Sequence, residues 1–331
     1  MGLTEEQLHR ARGVLVGTAC GDALGAGLEF KTSVPYPHRI AMAGDGILGW
    51  KPGEWTDDTS MAIIIASALA EHGTLTADAL DSIAKGFEEW ARTAPDVGSQ
   101  TREVMRRTRE QGVNAVNMLR ASREYAASTD HADGNGSLMR TAPVALAYLD
   151  DVNGMVQAAR VVSALTHAAD DSTDACVLWC SAIQVAVMDG TLDGLRAGLE
   201  YLAPERRDIW KARLDEAEGA EPWDFPKNGW VVHALQAAWA AITCLREHEG
   251  VDGMHTFERG VDHAVRCGND TDTVGAIAGG LLGAAHGLEA VPKAWFELLH
   301  GWPGLRGPGL VSLTDGILAS RQPSPLRSRN S

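Results

Sequence analysis

The sequence predicts an all-α protein. Apolar residues recur at three- and four-residue spacing over most of the chain, and Ala and Leu dominate those stretches. Period-2 strands bounded by turn signals are scarce, and the strand–helix alternation of a doubly wound sheet is missing. The first helix opens at a capping box, Thr4-Glu5-Glu6-Gln7, and lines Leu8, Ala11, Leu15 and Ala19 along one face. Further helices are predicted at 60–71, 77–92, 99–110, 152–165, 173–188, 192–202, 231–247, 256–266 and 274–288. Two stretches interrupt this order. Residues 31–54 hold Pro35, Pro37, Pro52 and several glycines and predict a loop excursion; residues 203–229, charged and then rich in Pro and Trp (EPWDFPKNGW), predict irregular structure. Both contain aromatics that can pack, so neither has the composition of a flexible linker. No internal repeat is evident. The expectation is one domain over 1–320, followed by a polar, basic and disordered tail at 321–331.

The 331 residues are 45% hydrophobic, enough for a sizeable core. Lys plus Arg number 29 and Asp plus Glu 44, a net charge of −15. Such a surface repels phosphate backbones and argues against nucleic acid as a general partner. The five cysteines (Cys20, Cys176, Cys180, Cys244 and Cys267) are odd in number and show no CxxC or zinc spacing. Cys176 and Cys180, at i and i+4 in an apolar stretch, fit the core of a protein from a reducing compartment. The N-terminus MGLTEEQLHRAR lacks a signal-peptide pattern, and Glu6 stands where a myristoylation signal has Ser or Thr. The longest apolar runs, such as 61–70, are about half the ~20 residues of a membrane helix. A soluble, cytoplasmic, monomeric protein is expected, with no membrane partner.

Two acid–threonine clusters dominate the chain: Thr56-Asp57-Asp58-Thr59 and Asn269-Asp270-Thr271-Asp272-Thr273. Each supplies the hard oxygen ligands that Mg²⁺, Mn²⁺ or Ca²⁺ prefer. Each also runs into an apolar helix, and Thr and Asp are favoured caps and first-turn residues, so capping is a serious rival explanation. A cap needs only one such residue, however, and adjacent carboxylates repel unless a positive charge lies near them. Two helix N-termini aimed at a cation are electrostatically awkward, so in a metal site the carboxylates would have to outweigh the dipoles. Asp270-Thr271-Asp272-Thr273-Val274 also matches DxDxT, the nucleophile loop of haloacid dehalogenase-type phosphatases. The preceding residues 263–269 form no buried strand, and too little chain follows for an α/β domain. An EF-hand fails as well, since Val274 occupies the third ligand position.

Three more segments carry polar chemistry. Gly21-Asp22-Ala23-Leu24-Gly25-Ala26-Gly27-Leu28-Glu29-Phe30 ends the first helix with three glycines and two acids. Asp133-Gly134-Asn135-Gly136-Ser137 is a turn whose amides could cradle phosphate; a plain turn is the commoner meaning of such glycines. His167 follows an apolar helix and adjoins Asp170, Asp171 and Asp174.

With these blocks together (GDALGAGLEF, WTDDTSMA, DGNGSLMRTAP, SALTHAADDS and CGNDTDTVGAIAGGLLGA, in that order over residues 13 to 288), the chain resembles the ADP-ribosylglycohydrolases. The resemblance implies an orthogonally packed all-α domain, a compact multi-helix bundle with a binuclear metal cleft for two divalent cations, Mg²⁺ or Mn²⁺. It implies Thr56, Asp57 and Asp58 as metal ligands from one side and Asp270, Asp272 and Thr273 from the other, with Glu29 approaching the centre. Asp96, in Asp96-Val97-Gly98, would contact the substrate ribose. The residue after that Gly is often Asn in the family and is Ser99 here, followed by Gln100. Gly134, Asn135, Gly136 and Ser137 would hold the diphosphate, and His167 would line the pocket. Trp230, in Asn228-Gly229-Trp230, would lie near the nucleotide, where an aromatic can stack on a base.

The implied reaction is metal-dependent hydrolysis of the C1″ glycosidic bond of ADP-ribose attached to a protein side chain, of arginine or serine type. Cleavage would pass through an oxocarbenium-like state, with Glu29, Asp57 and Asp272 as the candidate acid or base groups. The alternatives are a hydrolase of a small ADP-ribosyl compound or of an ADP-ribosylated nucleic-acid end, and a non-catalytic ADP-ribose-binding or immunity protein of the same fold. All six implied metal ligands are present, which favours an enzyme.

Overall fold

The computed structural model describes residues 2–36, 38–244 and 256–321. Among them the α-helices are α1 (Glu5–Gly25), α2 (Asp57–His72), α3 (Ala77–Ala91), α4 (Ser99–Gln111), α5 (Ala115–Ala127), α6 (Ala142–Ala147), α7 (Val152–Ala164), α8 (Asp170–Asp189), α9 (Gly194–Ala197), α10 (Pro204–Ala217), α11 (Val231–Thr243), α12 (Thr256–Ala264), α13 (Thr271–His286), α14 (Lys293–Leu298) and α15 (Gly307–Ser320). The sheet is one antiparallel pair of two-residue strands, His300–Gly301 with Leu305–Arg306. The all-α expectation holds.

The centre of the fold is the pair α1 and α13. α1 is buried without interruption from Gly13 to Gly25 and α13 from Thr271 to Ala284, as expected of helices enclosed on all sides. Both carry glycine at every fourth position: Gly13, Gly17, Gly21 and Gly25 on α1, and Gly275, Gly279 and Gly283 on α13. The two rows meet antiparallel, Gly13 on Gly283, Gly17 on Gly279 and Gly21 on Gly275, so closely that a Cβ at any of them would approach the opposing carbonyl oxygen to under 3.0 Å. This interlock sets the register that brings the C-terminal end of α1 beside the N-terminal end of α13. Helices α8, α11 and α12 pack on α13, α15 packs on α1 and α2, and α3 packs on α2.

Residues 31–54 form the expected loop, with a bridge between Asp45 and Trp50 and another from Glu54 to His300. Arg266, almost fully buried, clamps it. Its guanidinium pairs with Asp262, donates to the carbonyls of Val34, Pro35 and His38, and lies 3.9 Å from the centre of the Tyr36 ring.

The prediction of irregular structure over 203–229 is wrong for its first half, where α10 forms. Pro204 stands in the first turn, where its missing N–H costs nothing. Trp210, Leu214 and Ala217 bury one face. The charged face that hid the pattern is paired, Arg206 with Asp171 and Asp174, Arg213 with Asp171. Helices α5, capped by Asn114 on the Asn117 N–H, and α15 were not anticipated. The predicted helix at 192–202 shrinks to α9 and a 3₁₀ turn at 198–201. Helices α2 and α13 each begin three residues earlier than predicted, which places Asp57, Asp58, Asp272 and Thr273 inside first turns. Positions 245–247 of the predicted 231–247 helix, and the tail from residue 322, lie outside the described residues.

Candidate metal centre and its cleft

The two acid–threonine clusters face each other across the end of α1. Thr56 occupies the N-cap position of α2 and Asp270 that of α13, yet neither side chain caps its helix. The Thr56 hydroxyl instead lies 2.9 Å from Asp58 Oδ2 and 3.4 Å from Asp272 Oδ2, spanning both clusters. Capping of α2 falls to Asp22 on α1. Its Oδ1 accepts from the Thr56 N–H at 2.8 Å, and its Oδ2 accepts from the Thr59 N–H at 3.0 Å and the Thr59 hydroxyl at 2.6 Å. These bonds satisfy amides that a helix N-terminus leaves open. They also leave Asp57 and Asp58 free of that duty.

Carboxylate oxygens of Asp22, Asp58 and Asp272 lie within 4.8 Å of one another, as do those of Glu29, Asp270 and Asp272. Asp272 belongs to both groups. Asp22, Asp58 and Asp272 are at most 2% exposed, and Glu29 is 9% exposed. Asp58 Oδ1 is buried with no hydrogen-bond partner among the described residues, a state that normally costs a lost desolvation free energy unless a ligand meets it. Burial pushes each of these acids up from its ordinary range, and at Asp57, Asp58, Asp272 and Glu29 the neighbouring carboxylates add to it. Asp57, Asp58 and Asp272 move well above it, Asp22 reaches about 6 and Glu29 about 9. Asp270 and Asp96 are raised by burial too, and Arg102 offsets the effect only at Asp96. Hard oxygen donors, mutual repulsion and an orphaned buried oxygen fit a divalent cation, or two sharing Asp272.

The backbone fixes the two sides. Phe30 donates its N–H to Asn269 O at 2.7 Å, and Asn269 donates its own to Lys31 O at 2.8 Å. Both Phe30 (φ 62°) and Asn269 (φ 59°) are in the left-handed region, which is uncommon for a bulky residue and concentrates at functional sites. This staple sets Glu29 beside Asp270. Asn228, fully buried, accepts from the Asp270 N–H and donates to Gly268 O, holding the turn into α13.

The remaining predicted residues lie around this centre. Asp57 is half-buried at its edge. Asp96 is near enough for its charge to act on Asp57 and Glu29. Thr273 turns its hydroxyl toward Met139 Sδ, and its N–H donates to Asp272 Oδ1. Asn135 donates its side-chain amide to Asp270 Oδ2 and to Asn228 O, both at 2.7 Å. It therefore orients a cluster carboxylate, a role the sequence did not signal. Ser137 is interior, and its hydroxyl accepts from Ser163 Oγ at 2.9 Å. Gly134 bridges to Trp230, and the Trp230 ring packs 5.2 Å from that of His233. Beyond Gly134 opens a cavity of about 530 Å³ lined by Gln100, Tyr125, His131, Lys227, Trp230 and His233 among others. His167 is buried beneath the loop, its Nε2 at tight contact distance (3.3 and 3.2 Å) from where Cβ atoms on Gly134 and Gly136 would stand. Sequence reasoning missed Asp22 and the part Asn228 plays in holding the turn into α13. For Asp22 the signal was present, as one of two acids in a glycine-rich helix end.

The fold sets two acidic helix N-termini opposite each other, with a cavity lined in part by aromatic residues beyond Gly134. The comparisons name the class. Residues 3–325 match the ADP-ribosylglycohydrolase family, and the chain belongs to it. It is 30% identical over 303 residues to the ADP-ribosyl-[dinitrogen reductase] glycohydrolase of Rhodospirillum rubrum, covering 90% of this chain and 92% of that one. It is 29% identical to the ADP-ribosylarginine hydrolase Tri1 of Pseudomonas putida (strain GB-1), covering 89% of this chain and 76% of that one. A solved structure titled "ADP-ribosylglycohydrolase-related protein complex" superposes with a TM-score of 0.74 at 28% identity, covering 96% of this chain and all of that one. The protein is thus an enzyme of the glycohydrolase class. Among the described residues no helix is long and apolar enough to cross a membrane.

Proposed function

We propose that the protein hydrolyses the C1″ glycosidic bond of ADP-ribose attached to a protein side chain, of arginine or serine type, and releases ADP-ribose. The observation that carries this reading is the pair of three-carboxylate groups sharing Asp272, joined through the Asn135–Asp270 hydrogen bond to the turn whose Gly134 lines the cavity beside Trp230. Thr56, Asp57, Asp58, Asp270, Asp272 and Thr273 would hold two Mg²⁺ or Mn²⁺ ions, with Asp22 beneath them. Bound ions would polarise substrate oxygens and lower the pKa of a water.

The chain's own residues do the rest. Asp96 orients the ribose next to the centre, the backbone of Gly134–Ser137 receives the diphosphate, and Trp230 with the cavity behind it receives the base. Glu29 is the proton-transfer group of choice among Glu29, Asp57 and Asp272. Among the described residues it makes no side-chain hydrogen bond, it borders Asp270 and Asp272, and burial among charges holds its proton up to about 9. Five cysteines without a disulfide accord with a cytoplasmic enzyme.

Release of ADP-ribose from arginine-, serine- and DNA-linked substrates, with Mg²⁺ or Mn²⁺, tests the reading. Turnover on one protein-linked class, lost in Asp57→Asn and Asp272→Asn variants that still fold, is expected. Full activity in both variants would overturn the proposal. Binding of all three without turnover would return the non-catalytic alternative.

A further inference from the structure

Arg140 is a fully buried arginine with no carboxylate partner among the described residues. Its guanidinium stacks over the Phe87 ring, 4.5 Å from the centroid. Nη1 lies 3.4 Å from Met61 Sδ, and Nη2 donates to Thr166 Oγ1 at 2.6 Å. Thr166, fully buried, has one further side-chain partner among the described residues: Nδ1 of His167, at 2.7 Å. The carbonyl of Thr166 is held as well, by the Gln100 side-chain amide at 3.0 Å. That amide also donates to Ala132 O at 2.9 Å, which leaves Gln100 Oε1 facing Gly134.

The donor count fixes the protons. A guanidinium only donates, so Oγ1 accepts from Arg140. If Nδ1 also donated to Oγ1, the threonine hydroxyl hydrogen would be left without an acceptor in a dry interior, an arrangement native structures avoid. The hydroxyl therefore donates to Nδ1, and the proton of the imidazole resides on Nε2. From this chain of bonds we infer that Arg140 and Thr166 are positioning residues that set the tautomer of His167, making it a fixed Nε2–H donor under the Gly134–Ser137 loop rather than a base. Burial, and then the nearby guanidinium, disfavour an imidazolium, so the ring stays neutral. Side chains at 134 and 136 would bring their Cβ atoms to 3.3 and 3.2 Å from Nε2; the glycines leave the donor room against the loop. The ligand chemistry it suits is an anionic oxygen lodged on that loop. With the opposite tautomer, Nε2 would present a lone pair to that oxygen and repel it. The assignment of that oxygen to a diphosphate rests on the proposed function, but the tautomer does not.

Two measurements on the full chain with Mg²⁺ separate these claims. Correlation NMR of ¹⁵N-histidine-labelled protein, with His167 identified by its loss in His167→Ala, reports which ring nitrogen is protonated. Calorimetry reports the affinity for ADP-ribose. The wild type and Thr166→Ser are expected to show Nε2–H and bind alike. Thr166→Val is expected to show a mixture of tautomers and about tenfold weaker binding, the scale of one hydrogen bond to a charged group. A melting curve for each variant establishes that the fold is retained. A wild-type His167 protonated on Nδ1, or a folded Thr166→Val with unchanged tautomer and unchanged affinity, overturns the inference. Failure of the wild type to bind ADP-ribose would sink the proposed function while the NMR result still decides the tautomer.

Discussion

Replacing Asp58 by Asn separates stability from function at this centre. The Asp58 carboxylate is fully buried, with Oδ2 on the Thr56 hydroxyl and Oδ1 unpartnered among the acids of Asp22 and Asp272. Asn keeps the acceptor for Thr56 and turns the orphaned oxygen into an amide donor that neighbouring carboxylates can accept from. Burial, then the charges of Asp22, Asp57 and Asp270, hold the Asp58 carboxyl well above its ordinary range. A neutral amide there removes that charge and should recover about 1–3 kcal/mol, the scale of one unsatisfied buried polar group. The sign with pH follows from the same shifts. A carboxyl whose folded pKa is raised binds its proton more tightly when folded, so its term favours folding below the unfolded value and weakens as pH climbs to the folded one. For Asp22 and Glu29 that window runs from about 4 to about 9. Metal-free wild type should therefore melt progressively lower from pH 5 to pH 9. Metal-free Asp58→Asn should melt several degrees higher than wild type at pH 8 and lose part of the slope. Saturating Mg²⁺ or Mn²⁺ at 100 times its Kd should stabilise wild type by about 2.7 kcal/mol and the variant far less. Scanning calorimetry with and without chelator reads all of this. An Asp58→Asn variant that melts lower than wild type without metal, and gains as much from metal as wild type does, would refute the account of the cluster.

Gly17→Val places branched carbons against the carbonyl of Gly279; a loss of more than about 3 kcal/mol in urea unfolding is expected, with metal binding lost alongside it because α1 and α13 set the register of the acids. Asp22→Ala orphans two amides and a hydroxyl and should cost about 2–4 kcal/mol; titration of metal with the folded variant should also show weakened binding. Asn135→Ala frees Asp270 Oδ2, so metal affinity should fall about tenfold, as for a lost outer-sphere partner, with little change in melting temperature. Trp230→Ala should weaken ADP-ribose binding by about 1–3 kcal/mol if the base stacks there, measurable by calorimetry, and leave metal titration untouched.

Much of the site was legible because its chemistry is local. Acids and threonines crowded into four or five residues stand out in any reading, and their order along the chain carries the family pattern. What was not legible depends on partners far away in sequence. Capping could not be separated from metal binding at Thr56 and Asp270, since the deciding fact is that Asp22, 34 residues before Thr56, does the capping of α2. Asn135 looked like a phosphate-loop residue because Asp270, 135 positions on, is its partner only after folding. Helix α10 was hidden by charges that pair with Asp171 and Asp174 on α8. The four-residue glycine spacing of α1 and α13 is in plain view, but that these two rows meet each other depends on the folding of segments about 250 residues apart.

The register of α1 on α13 also answers the electrostatic objection to a cation beside two helix N-termini. Because the helices run antiparallel, the negative end of α1 lies beside the positive end of α13, and the two dipoles largely offset each other there. At α2 the amides point at Asp22, so the positive end of that helix is occupied by a carboxylate. Without metal, the N-terminus of α2 stabilises the carboxylate of Asp22 by a few tenths to about 1 kcal/mol, and nothing of that size returns Asp58 or Asp272 to the ordinary range. The cluster is thus held together but left uncompensated. A dipole too weak to offset the acids, and repulsion that only a hard cation can relieve, are two halves of one arrangement, and the glycine interlock is what forces them into the same place.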